Sequence, residues 1–449
     1  MTSERPPTAI APVEIAPTAL APAVRSRIFL YLGGLIVLLA FSDPNGGLMD
    51  IPISFFLKNR LHLEARQVAI FRVVASIPLY LSFLFGLARD NWNPFGMRDR
   101  GLMALFGVAG VALYTTFAFI PVSYATLLAA VMLLTSCFLF LASAQNGLAS
   151  TLGQQHAMSG QISAIWNIFA SLPAIAALLL GGRLSELLES HDADAAARTL
   201  FLLGAAVTAL TASYAILKPR SVFDNVKTEH DARAQPLKDL KRLAQHRPIY
   251  PALAIWLLWN FAPGSATPLQ YYLQNTLHAS DSNWGAWNAV FAASFIPTFL
   301  VFGVLCLRVS LKKLLWWGTL AAIPQFIPLL FVHSTTGALI AAAPIGLLGG
   351  VATAAYLDLI IRSCPPGLQG TTMMLSGGLY YVSSRFGDVL GTRIYDHFGG
   401  FGVCVAMITL VYAMIPPVLL LIPDDLVAFA DGAISANVAD DRDDRPFAA

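Results

Sequence analysis

Charge is what this sequence is short of. Only 12% of its 449 residues are Asp, Glu, Lys or Arg, against 56% hydrophobic, and the mean hydropathy is +0.65. Soluble domains carry about 25% charged residues, so the composition excludes a large soluble enzyme and implies a polytopic membrane protein. Cysteine is also scarce. Cys137, Cys306, Cys364 and Cys404 stand far apart with no CxxC pair, which points to neither a zinc site nor a redox dithiol; they read as small core residues. There is no Walker A loop, which speaks against ATP-driven transport, and no GxSxG, HExxH or His/Cys cluster. No catalytic residue, metal or cofactor is expected, and nothing suggests a nucleic-acid partner.

What is present is a series of apolar runs. About 20 apolar residues are needed to cross the hydrocarbon core, and twelve such runs occur, at roughly 28–57, 67–89, 101–120, 122–147, 161–181, 199–217, 249–273, 284–307, 311–332, 336–361, 371–392 and 401–422. The expected organisation is a disordered Ala/Pro-rich tail (1–27), a six-helix bundle (28–217), a polar central loop (218–248), a second six-helix bundle (249–422) and an acidic tail (423–449). The first segment lacks the basic start and compact apolar core of a signal peptide. Lysine and arginine set the orientation. With both termini inside, the internal segments hold twenty basic residues and the external ones six, while Arg72 and Arg385 lie within spans. The expectation is a multi-pass protein of the cytoplasmic membrane with both termini cytoplasmic.

Six spans, a basic loop and six spans resemble the major facilitator superfamily, whose two halves are pseudo-symmetric with the substrate site between them near mid-membrane. The loop after the second span, "GLARDNWNPFGMRDR", is similar to the superfamily's signature there, through Gly86, Asp90, Arg98 and Arg100. That resemblance implies a latch on the cytoplasmic side, with Asp90 facing the end of a neighbouring helix and the arginines pairing with acids. The alternative is plain positive-inside topology. The loop after the eighth span, "RVSLKK", is a weak echo.

A narrower resemblance is to the folate–biopterin transporter family. It rests on "FFLKNRLHLEARQVA" (Phe55 to Ala69), "NPFGMRDRG" in the same loop, "SGQISAIWN" (Ser159 to Asn167), "FAPGSATPLQYYLQNTLHAS" (Phe261 to Ser280) and "CPPGLQGT" (Cys364 to Thr371). These lie in order along most of the chain. One departure is plain: family members carry aspartates in the fourth span, where this chain has Gln145 and Asn146 and no acid.

The polar residues inside the spans are the candidate site. An aspartate at the bilayer centre costs roughly 2.5–3.5 kcal/mol, so each needs a reason. Asp43 lies midway along the first run, beside Pro44 and Gly46-Gly47. It reads either as a proton-coupling carboxyl lining a cavity at a helix break or as a cap on the restarted helix. Asp50 follows about two turns later, at a depth matching Arg72 on the antiparallel second span. A buried structural pair is expected, with a substrate-binding Arg72 as the rival. In span eleven Arg385 and Asp388 stand at i, i+3; they neutralise each other or Arg385 meets an anionic substrate. Asp358 and Arg362, at i, i+4, are expected to pair locally beside the inner gate. Asn260 and Gln270 of span seven, and Trp166 and Asn167 of span five, complete the substrate-binding candidates. A flat heteroaromatic ligand suits the Trp259, Tyr271 and Tyr272 walls.

The expected fold is therefore all-α, twelve transmembrane helices in two pseudo-symmetric bundles. The expected function is secondary active transport of a small organic solute by alternating access, with folate or pterin implied by the resemblance and protons as the coupling ion. The alternatives are another solute (sugar, peptide or drug-like) or a non-transporting receptor or scaffold on the same fold. The expected partners are that small molecule, lipid and protons, with the chain acting as a monomer.

Overall fold

The computed structural model describes residues 20–432 apart from 64, 190–192, 218, 224–234 and 399. It is all-helical, and twelve helical spans follow one another. Among the described residues, nine of them contain a helical segment long and apolar enough to cross a membrane. The other three are the second, seventh and eleventh spans. The second is interrupted at Ser76 and Leu81, and the seventh runs as Ile249–Asn260 and then Thr267–Tyr271. The eleventh, Gln369–His397, is continuous but carries Arg385 and Asp388.

Helix starts follow local chemistry. Ser123 opens the fourth span with a reciprocal cap, its side chain accepting from the Thr126 amide at 3.2 Å while Thr126 Oγ1 accepts from the Ser123 amide at 2.8 Å. Ser334 and Ser280 cap the tenth and eighth spans in the simpler way. The first helix starts at Pro22, inside the segment read as a tail, with its proline in the first turn, where a missing N–H costs nothing. The central loop also contains helices, at Arg220–Phe223 and Pro236–Gln245. The latter buries Leu243 against Ile249 and Leu368. The tail turns once more at Asp424–Val427 before the described chain ends.

Spans one and seven show the internal symmetry most directly. The first runs as Pro22–Ser42, breaks, resumes at Gly47–Phe55 and ends in a π-turn at Phe56–Arg60. The seventh breaks after Asn260, resumes at Thr267–Tyr271 and ends in a π-turn at Tyr272–Thr276. The sequences match in the same register: "PISFFLKNRLH" from Pro52 and "PLQYYLQNTLH" from Pro268. His62 and His278, which close the two repeats, both take left-handed backbone, with φ of 48° and 53°. This is a far better repeat than the one visible in the loops after spans two and eight.

Two packed regions hold the bundle. One extends through both halves, from Ile28 and Leu32 to Ile360 and Cys404. The other lies in the first half and joins Met49, Ile53 and Phe71 to Leu134, Ala196 and Phe201. Between the halves the packing is uneven, and that unevenness creates the site.

Candidate functional site

We call the face at which the described chain begins and ends the terminal face. The halves are closed there. A Cβ built on Gly86 would stand 2.4 Å from the carbonyl oxygen of Gly370, so the second and eleventh spans touch backbone to backbone. Ser82 Oγ donates to the Met374 carbonyl at 2.6 Å. Gln154 donates to the carbonyls of Ile361 and Cys364 at 2.9 and 2.7 Å, and accepts from Gln369 at 2.9 Å.

Asp90 is the hub of this closure. Its carboxylate accepts from the amides of Gly370 (3.1 Å) and Thr371 (2.6 Å) and from Thr371 Oγ1 (2.7 Å), at the open start of the eleventh span. Arg89 pairs with it at 2.8 Å and forks onto Asp99 at 2.6 and 2.8 Å. Gly86 and Asp90 both lie at this closure. Arg98 lies in a left-handed turn with its amide on Asn93 Oδ1 at 2.6 Å, and Arg100 donates to the Ala215 carbonyl at 2.9 Å and lies over Phe223. Arg89 bridges two acids, Asp90 and Asp99, and no motif in the sequence marks Asp99. Asp358 and Arg362 do pair locally, at 2.9 Å.

Farther along the same boundary, toward the opposite face, lies a cleft. It has a volume of about 120 Å³, is continuous with solvent, and is lined by Pro44, Asn45 and Asp50 of span one, Arg72, Ser76 and Tyr80 of span two, and Tyr381 and Arg385 of span eleven. The helix break at Asp43–Gly46 sits at its floor. Asp43 Oδ1 accepts from the Asn45 amide at 2.9 Å, an Asx-turn that holds the break open, and Asn45 Nδ2 reaches Thr135 Oγ1 at 2.9 Å. The turn precedes the restarted helix, whose cap is Gly46 and not Asp43. Asp43 acts electrostatically on Tyr114 and on Tyr381 across the cleft.

Arg72 and Asp50 meet at 3.2 Å, and Arg72 also donates to Ser54 Oγ at 2.6 Å. The pair is not buried as expected. Its side chains keep 44% and 38% exposure because they line the cleft. Arg385 and Asp388 do not pair. Asp388 instead accepts from the amide and hydroxyl of Thr267, both at 2.9 Å. The break in span seven exposes that amide, and a carboxylate on the neighbouring span satisfies it. Among the described residues Arg385 makes no hydrogen bond or ion pair, and it lines the cleft together with Asp50.

The remaining candidates lie outside this lining. Asn260 donates to its own helix at Trp256 (2.7 Å) and Asn167 to Ser163 (2.8 Å). Trp166 packs against the core, and Gln270 is half-buried in the short second piece of span seven. Among the described residues no group of His, Cys, Asp or Glu is placed to hold a metal.

Residues 155–387, just over half of the chain, match the Major Facilitator Superfamily. The chain belongs to that superfamily. It is a secondary transporter by family, not an enzyme, and a multi-pass integral membrane protein. A folate-biopterin transporter of Synechocystis sp. is 23% identical over 344 residues, which are 73% of this chain and 67% of that protein. The major facilitator fold is found again in FucP in its outward conformation, with a TM-score of 0.67 at 16% identity over 88% of this chain and 98% of that one. The human organic anion transporter MFSD10 aligns with a TM-score of 0.60 at 16% identity, over 89% of this chain and all of that one.

Proposed function

We propose that this major facilitator protein takes up an anionic heteroaromatic solute of the folate or pterin class by proton-coupled alternating access. The observation that carries the reading is the cleft between the halves, closed at the terminal face and open opposite. Arginines from both halves line it: Arg72, held by Asp50, and Arg385, with no hydrogen-bond or ion-pair partner among the described residues. A guanidinium suits bidentate carboxylate recognition, and Tyr80, Tyr381 and Phe71 offer ring faces for a flat ring system. The name of the Synechocystis relative supports the same solute class.

Asp43 is the proton-carrying group of this reading. It sits at an irregular backbone segment beside the cleft floor, where a carboxyl is reached from one side at a time. In the same reading both termini are cytoplasmic, the membrane is the cytoplasmic one, and the described state awaits solute from outside.

Uptake of labelled folate and of a neutral pterin into proteoliposomes tests the proposal. Saturable folate uptake that Arg72→Gln abolishes is expected. Thermal stabilisation of the purified protein by another solute class, with none by any folate or pterin, overturns the assignment, since only ligands of the folded state raise the melting temperature.

A further inference from the structure

The two halves carry equivalent closures at the terminal face, but one lacks its acid. In the register that pairs Pro52 with Pro268, Asp90 is matched by Cys306. The fifth span begins as the eleventh does. Gly160 and Gly370 are each the second residue of their helix, and Ala157 and Gly367, each two residues before it, take left-handed backbone. So the start of span five presents open amides to Cys306, a residue that cannot accept them as a carboxylate does.

Asp431, from the tail beyond the last span, occupies that place. Its Oδ2 accepts from the Gln161 amide at 2.9 Å, and the Gly160 amide also donates to the carboxylate. Its Oδ1 accepts from Arg362 Nη2 at 2.9 Å, and its side chain is 2% exposed. Its own amide donates to the Cys306 carbonyl at 2.8 Å, and the next amide, of Gly432, donates to the Ala157 carbonyl at 2.8 Å. Arg362 ties the tail further, donating to the Phe429 carbonyl at 3.0 Å and to Ser159 Oγ at 3.1 Å. Arg89 bridges Asp90 and Asp99 in one closure, and Arg362 bridges Asp431 and Asp358 in the other.

We propose that Asp431 is a gate residue supplied in place of the missing acid, so that the C-terminal tail straps span five of the first half to spans eight and ten of the second and holds the terminal face shut. The inference rests on the reading that the chain works by alternating access. Opening that face separates span five from spans eight and ten, so every contact just named must break. The tail thus biases the transporter toward the state open on the opposite face.

The strap also responds to pH. Burial, and then the neighbouring Asp358, push the Asp431 carboxyl up to about 7, against the opposing pull of Arg362 and the amides of Gln161 and Gly160. The groups facing it are Asp358 and Arg362 on span ten, Cys306 on span eight and the two amides on span five. A tail aspartate in water titrates near 3.8, so docking takes up a proton between those values. Docking is therefore favoured as pH falls and weakens as pH rises from about 4 to about 7, with no further change above that.

Cys364 reports the gate. It is buried at the closed face beside Ser150 of the other half. In a chain with Cys137, Cys306 and Cys404 changed to alanine, its rate of reaction with a membrane-impermeant maleimide is measured without solute. The comparison covers the native tail, Asp431→Ala, Asp431→Asn, and a chain whose tail is cut after folding at a protease site placed before Asp424. Losing a buried hydrogen bond, with its partners left unsatisfied, shifts an equilibrium on the order of tenfold. Below pH 7, Asp431→Ala and the cut chain should label about tenfold faster than the native chain. Asp431→Asn, an uncharged acceptor, should stay slow, and the native rate should rise relative to it as pH climbs toward 7 and level off above that. Equal rates in all four chains overturn the proposal. Fast labelling of the cut chain with Asp431→Ala unchanged also overturns it, because another tail residue then makes the contact. Folate uptake is scored separately, so a wrong solute leaves the labelling result standing.

Discussion

Asp90 at the end of the second span accepts both the amide and the hydroxyl of Thr371, at 2.6 and 2.7 Å, across the boundary between the two halves. A carboxylate on the open amides of a helix start is a strong contact in a low-dielectric setting. It is also one that reforms only when the two spans meet in the same register. The closed face is thus built from a few directional contacts over a backbone seam, and such a seam can be made and unmade as a unit.

Gly86 is the seam's tightest point. Gly86→Ala places a methyl 2.4 Å from a backbone oxygen that cannot turn aside. Overpacking of this kind costs about 1–3 kcal/mol, and only the closed state incurs it. The variant should fold, label faster at Cys364 by about tenfold and lose uptake. Unchanged labelling would mean that the two spans do not approach in this way during transport.

Asp50 and Arg72 make one contact in an open cleft, so their mutual stabilisation should be small. A double-mutant cycle of thermal unfolding with Asp50→Asn and Arg72→Gln should give a coupling below about 1 kcal/mol. Uptake should respond far more than stability. A coupling of several kcal/mol would indicate a structural pair shielded from solvent.

Arg385 is expected to act on the solute's charge. Arg385→Gln should weaken folate binding by roughly tenfold or more, the worth of a charge-assisted bond, and change neutral pterin binding little. Competition binding on the purified protein reads the ratio. Equal loss for both ligands would assign Arg385 to the fold.

Asp388 has the opposite character. Its removal strands the Thr267 amide at the break in span seven, which costs about 1–3 kcal/mol. Asp388→Ala should lower the melting temperature, and adding Arg385→Gln should not restore it, because the two side chains do not pair. Restoration would revive the local charge pair.

The legible parts of the molecule were those fixed by periodicity and depth. Twelve apolar runs gave the architecture, and antiparallel spans of matching depth brought Asp50 to Arg72. The i, i+3 spacing of Arg385 and Asp388 misled for a physical reason: a broken neighbouring helix offers a carboxylate a free amide, and that outbids an arginine that can still face water. "FAPGSATP" announced the break but not which side chain would answer it. Asp431 could not be found at all from the sequence, being one of seven aspartates in a polar tail. The repeat from Pro52 and Pro268 was readable and is what exposes Cys306 as the substituted position. Arg89 carries no such signal, because the loop's resemblance to the superfamily signature runs through Arg98 and Arg100.

The central claim is that a proton gradient drives solute across through Asp43. The direct measurement is accumulation of labelled folate in proteoliposomes with an imposed pH gradient, comparing the native chain with Asp43→Asn. Asparagine keeps the Asx-turn to the Asn45 amide but carries no titrating proton. The account predicts concentrative uptake by the native chain, collapsed by a protonophore, and an Asp43→Asn chain that exchanges folate across the membrane without accumulating it. Full gradient-driven accumulation by Asp43→Asn would contradict it.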